Sequence, residues 1–188
     1  MEGDFITLLF YLLALNLMLR RRDVYLPLLV GVATLNREQI IFVLVFYVIY
    51  LISQGRVFRK RSMLIVAASI AAFLLGFFAV RCHFGFPTTQ YTIASAIAHN
   101  TNPHRLLRSI APLWVAEVAG FAILSALAFQ ASNMFFKLAF LSLGLYSLLF
   151  FISGNLWELA KFLPAFLIMI PMSLQILTGE FVDERMTA

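Results

Sequence analysis

The sequence predicts an all-α fold, a polytopic transmembrane helical bundle, and three observations carry that expectation. Hydrophobic residues make up 62% of the chain and charged residues 12%, against about 45–50% and about 25% in globular domains. The mean hydropathy is +0.93. The apolar residues gather in runs close to the ~20 residues that a helix needs to cross a hydrocarbon layer, and clusters of Arg and Lys separate those runs. The third observation is a charged pair, Arg37-Glu38, set in the middle of an otherwise apolar run from Val24 to Ile52. A charge at membrane depth costs roughly 2.5–3.5 kcal/mol on insertion scales, so such a pair reads as a functional group or as a staple between helices.

The 188 residues suffice for about six spans with short loops. The single cysteine, Cys82, excludes an intrachain disulfide. The net charge of +5 sits in loop clusters rather than on a face shared with aromatics. It therefore sets topology, with Lys and Arg on the cytoplasmic side, and gives no reason to expect a nucleic acid.

Phe5 to Leu19 forms the first expected span, acidic at its start (Glu2, Asp4) and followed at once by Arg20-Arg21-Arg22. That layout is the reverse of a signal peptide and places the N-terminus outside. As one helix, the run Val24–Ile52 would be about 44 Å long, too long for a ~30 Å slab, and would leave two basic clusters on opposite sides. A helical hairpin over about 24–53, broken at Asn36-Arg37 into 24–35 and 38–53, resolves both conflicts. Asn36 is placed to cap the second limb, and Glu38 stands in its first turn, where the helix dipole favours an anion. Arg56 and Arg59-Lys60-Arg61 make the next inner loop, and residues 62–80 lead outward. The small residues Ala67, Ala68, Ser69, Ala71, Ala72 and Gly76 on that span allow close helix approach.

Residues 81–108 are expected to form a long external loop containing Arg81, Cys82, His83, His99, His104 and Arg105, with a short helix near Thr92–Ala98. Long loops in compact proteins are usually functional. Residues 110–129 return inward with Pro112 in the first turn, and 137–152 lead out again. Trp157-Glu158 lies in a tight outer turn, residues 159–177 lead in with Pro164 and Pro171 placed to kink them, and a polar cytoplasmic tail follows. Of the fourteen basic residues, nine fall inside and five (Arg37, Arg81, Arg105, Arg108, Lys161) at the outer face. Five cations gathered there suit an anionic ligand such as a phosphate at headgroup level.

The three histidines are sixteen and five residues apart with no Asp or Glu among them, so neither a metal nor a cofactor is expected. Glu117 reads either as an interhelical hydrogen bond or as a functional acid. Glu158 and Lys161, three apart, are either an interfacial pair or ligand-binding groups.

The segment Leu28-Leu29-Val30-Gly31-Val32-Ala33-Thr34-Leu35-Asn36-Arg37-Glu38 resembles an element of the GT-C glycosyltransferase superfamily, in which an apolar half-helix turns at a charged residue and runs on as a span. Trp157-Glu158-Leu159-Ala160-Lys161-Phe162-Leu163-Pro164 is similar to the "ExRYxxP" segment of many bacterial members, with Lys161 in place of Arg. Arg81-Cys82-His83-Phe84-Gly85 resembles an "R…FG" exit from the preceding span.

The resemblance implies an integral membrane transferase of a bacterial inner or plasma membrane. Its partners would be the lipid bilayer and a polyprenyl-phosphate-linked sugar, passed to an acceptor on the outer face. It implies donor-phosphate or substrate-binding roles for Arg37, Glu38, Arg81, His83, Glu158 and Lys161. In that superfamily the catalytic base is an acidic residue in the first external loop. Here the first span leads straight into a basic cluster, so no residue of this chain is assigned as catalytic. The expectation is a C-terminal part of a longer transferase, or a form lacking that loop, with a missing N-terminal part or a partner subunit. The alternatives are a transporter or flippase for an anionic lipid or solute, favoured by the broken hairpin, and a non-catalytic structural membrane subunit.

Overall fold

A computed structural model describes residues 2–85, 93–153, 156, 158 and 162–179, and every regular element among them is helical. A chain this apolar closes its backbone hydrogen bonds within each segment, which favours helices throughout. Three helices are long and apolar enough to cross a membrane: Lys60–Phe84, Pro103–Ala128 and Met134–Ile152. The chain divides into two compact units, Met1–Thr88 and Thr89–Ala188.

In the first unit, α1 (Glu2–Leu19) is followed by a short 3-10 turn (Asp23–Tyr25) and α2 (Leu26–Thr34). A second 3-10 turn (Glu38–Ile40) opens α3 (Ile41–Ser53), and α4 spans Lys60–Phe84. The chain does double back between α2 and α3. The Tyr47 hydroxyl donates to Asp23 Oδ2 at 2.8 Å, although the two residues are 24 apart in sequence. A straight helix would hold them about 36 Å apart.

The break is anchored from α1, where the Tyr11 hydroxyl donates to the Gln39 carbonyl (2.7 Å) and Asn36 Nδ2 donates to Thr7 Oγ1 (3.0 Å). Asn36 therefore ties the break to α1 instead of capping the second limb. The position before the turn belongs to Arg37, whose extended backbone (φ −155°) ends the helical path.

Helices α2 and α4 run parallel and nearly touch. A β-carbon built on Gly31 would lie 3.5 Å from Ala72 Cβ, and one on Gly76 only 3.1 Å from the Gly31 carbonyl and from Thr34 Cβ. Of the small residues read on 62–80, Ala72 and Gly76 make this close approach and Ser69 is buried, whereas Ala67, Ala68 and Ala71 are exposed.

Both turns at the far end of this unit have the same geometry. After α1, Arg22 N–H donates to Leu17 O (2.8 Å) and Arg21 N–H to Met18 O (3.1 Å). After α3, Arg56 N–H donates to Leu51 O (2.8 Å) and Gly55 N–H to Ile52 O (2.9 Å). These are Schellman closures, in which the residue after the cap takes a left-handed conformation. Gly55 fills that position in one turn (φ 61°) and Arg21 in the other (φ 56°).

In the second unit, α5 (Ile93–Thr101) precedes α6 (Pro103–Ala128), α7 (Met134–Ser153) and α8 (Leu163–Thr178). Val118, Ala165 and Met169 form the core, with Trp114, Phe140 and Phe166 packed around it. Phe162 is buried and meets the rings of Trp114, Phe150 and Tyr146 edge-on at 4.5, 4.9 and 5.4 Å.

Several sequence expectations are corrected. The external loop 81–108 is mostly helix. Helix α4 continues through Arg81, Cys82 and His83 and stops only at Gly85 (φ 79°). Helix α6 begins at Pro103, well before residue 110, because Asn102 accepts hydrogen bonds from the backbones of His104 and Arg105 and Pro103 fills the first turn. That pairing of cap and proline is a strong helix start. Pro112 consequently lies inside a helix, and a π segment (Leu106–Ile110) immediately precedes the segment that holds it. A proline removes one ladder bond and crowds the carbonyl four residues back, and a widened turn relieves both. Pro164 sits in the first turn of α8 and does not kink it, whereas Pro171 is interior. Residues 159–161 and the tail 180–188 lie outside the described residues.

Candidate functional site

The break between α2 and α3 and the end of α4 bring three of the expected residues to one end of the first unit. Glu38 opens the 3-10 turn, and Arg81 lies in the last turn of α4, 43 residues later. The Arg81 guanidinium donates from Nη2 to Glu38 Oε1 and forms an ion pair with it. The parallel run of α2 and α4 sets this register: Gly31 faces Ala72, and seven residues on from Gly31 Glu38 comes within reach of Arg81, nine on from Ala72.

Arg81 also lies over the Phe77 ring, 5.3 Å from its centroid, where the ring face attracts a cation. Its side chain is 16% exposed and that of Glu38 49% exposed, so the carboxylate reaches the surface while the guanidinium is held behind it. Arg37 is half-buried at the adjoining position. Two guanidinium groups and one carboxylate leave this tip with a net positive charge.

His83 is exposed and packs edge-on against Phe84 at 4.5 Å. Glu158 is exposed in the second unit, and Lys161 and Trp157 lie outside the described residues. Glu117 is exposed within a π segment (Val115–Ala119) of α6. His99 Nδ1 accepts from Arg105 Nη1 at 2.5 Å, so two of the polar residues expected in a loop pair across the α5–α6 corner. Among the described residues, no three of His, Cys, Asp or Glu gather into a metal-binding group.

Two buried polar groups have no counterpart in the sequence reading. Asp23 is 3% exposed and accepts the Tyr47 hydroxyl. The available signal was an acid directly after three arginines at the mouth of an apolar run. Asn100 is fully buried, donates from Nδ2 to the Phe151 carbonyl (2.8 Å) and accepts from the Leu156 N–H (3.2 Å). A polar seam also runs between α6 and α8. The Ser125 hydroxyl donates to the Met169 carbonyl (3.0 Å), that of Ser173 to the Phe121 carbonyl (3.2 Å), and that of Ser132 to Gln175 Oε1 (2.8 Å). An apolar cavity of about 520 Å³, lined by Trp114, Val118, Leu143, Gly144 and Met169 among others, opens in the second unit.

Fold and site together define an all-helical chain with three helices able to cross a membrane by length and composition, and a guanidinium–carboxylate tip built on a broken helix. The chain matches no family model, no curated protein and no solved structure.

Proposed function

We propose that the chain is a multi-pass membrane protein whose Arg37–Glu38–Arg81 tip binds the phosphate of a polyprenyl-phosphate-linked sugar, as part of a GT-C-like transferase acting at the outer face. The observation that carries this reading is the Arg81–Glu38 ion pair. It joins two of the segments that resemble the superfamily, from positions 43 residues apart.

The membrane setting is supported by large apolar side chains exposed along the long helices, such as Leu64 (70%), Leu75 (73%) and Leu127 (63%). Large apolar side chains exposed on this scale belong against lipid or a partner. In the reaction, negative charge grows on the lipid phosphate as the sugar leaves. Fixed guanidinium groups stabilise that charge more than they stabilise the ground state. Glu38 positions Arg81 and holds its charge until the phosphate competes for that cation, while the tip as a whole stays net positive.

The test is native mass spectrometry of the purified chain with a short-chain polyprenyl phosphate. Arg37→Ala and Arg81→Ala should each weaken binding about tenfold, the loss of a charge-assisted hydrogen bond. Normal affinity in both variants would reject the site.

One observation favours a second reading. A helix interrupted at Leu35–Arg37, with charges at the interruption, is also a device of transporters. Flux of an anionic lipid across liposomes without sugar transfer would select it.

A further inference from the structure

We propose that the other end of the first unit, formed by the Arg20–Arg22 turn, Arg56 and Arg59–Arg61, binds the phosphate headgroups of anionic phospholipids. Arg21 is the residue placed there at the expense of backbone comfort. The inference rests on the membrane reading above but not on the transferase reading.

The two turns are the same Schellman closure with one difference. Where glycine takes the left-handed position in the second turn, arginine takes it in the first, and among the described residues Arg21 is the one non-glycine with positive φ. An L side chain there crowds the following carbonyl, and glycine is the ordinary occupant. Gly55 shows that the motif closes without such crowding.

Asp23, just after the arginines, accepts the Tyr47 hydroxyl at 2.8 Å and so ties the first turn to α3, the helix that ends in the second. Asp23 is turned inward and buried, so it leaves the arginines facing outward: Arg20, Arg21, Arg22, Arg59, Lys60 and Arg61 are all exposed. Arg56 is half-buried beside these exposed cations, and its Nε is buried with no hydrogen-bond partner among the described residues, so its guanidinium is not held by the fold at that atom.

Lipid is favoured over a soluble polyanion by what surrounds these cations. Phe58 is 87% exposed, and Tyr25, Val24 and Leu19 are exposed as well. Aromatic and apolar side chains interleaved with cations belong at the headgroup level of a bilayer.

The full chain is reconstituted in phosphatidylcholine nanodiscs containing phosphatidylglycerol, and retained lipid is read by native mass spectrometry. Wild type should enrich phosphatidylglycerol. Arg21→Gly and Arg56→Gln should each lower the enrichment about fivefold, the worth of one arginine near an anionic surface. In pure phosphatidylcholine, Arg21→Gly should raise the Tm by about 2–4 °C as the strain is relieved. Unchanged enrichment in both variants overturns the proposal, as does enrichment abolished by an equal concentration of inorganic phosphate, or tight binding of single-stranded RNA without lipid preference. Release of the chain by alkaline carbonate would remove the membrane reading itself. Retention without enrichment removes this inference alone.

Discussion

The two units share an apolar composition but gain their specificity differently. The first brings backbones together: Gly31 and Gly76 let α2 and α4 approach until a single added β-carbon would meet a carbonyl at 3.1 Å, and its ion pair and buried acid are displaced to the two ends. The second keeps polar groups along its length, where Ser125, Ser132, Ser173 and Gln175 fasten α6 and the turn that follows it to α8 and Asn100 fastens the end of α7. Between helices in lipid there is no water to drive apolar burial, so either close packing or hydrogen bonds must select the neighbour. Close packing frees the ends for charge, and the first unit places its charged tip at one of them.

Substitutions separate the two strategies, and the largest effect is expected in the first unit. Gly76→Val should cost about 3 kcal/mol or abolish folding, because both the Gly31 carbonyl and Thr34 would have to move. Gly144→Ala in α7, where a β-carbon meets nothing within 4 Å, should instead gain about 0.5–1 kcal/mol of helix propensity. Equilibrium unfolding in mixed detergent measures both. Next comes Asn100→Leu in the second unit, which leaves the Phe151 carbonyl and the Leu156 N–H unmet and should cost about 2 kcal/mol. Ser125→Ala should cost less, about 0.6 kcal/mol, the mean found for hydrogen bonds between membrane helices. The smallest effect on stability is expected at the tip. Glu38→Gln should change the unfolding free energy by about 1 kcal/mol or less, since its carboxylate is half-exposed. It should nevertheless alter phosphate affinity by freeing Arg81, as a binding titration of the variant would read.

The helical character, the reversal at Asn36-Arg37 and the close approach at Ala72 and Gly76 of α4 were legible because each follows from length, charge and side-chain size. Helix ends were not. Arg81 and His83 look like the start of a loop when residues are sorted by polarity, yet long or amphipathic side chains at the end of an apolar helix leave the helix intact. Gly85 was the better stop signal and Asn102-Pro103 the better start. The ion pair itself was only half legible: both charges were expected at the same face, but their register depends on which turn of α4 meets Gly31, and small residues recur along that helix. Asp23 was hidden among its basic neighbours, and its burial depends on a tyrosine two dozen residues away.

The reversal between α2 and α3 underlies the tip, the basic end and both ligand readings. In a Cys82→Ser background, single cysteines at Arg21, Phe58 and Glu38 can be labelled with a membrane-impermeant maleimide in sealed, uniformly oriented vesicles. Positions 21 and 58 should react from one side and position 38 from the other. Labelling of 21 and 58 from opposite sides would contradict the reversal and every assignment built on it.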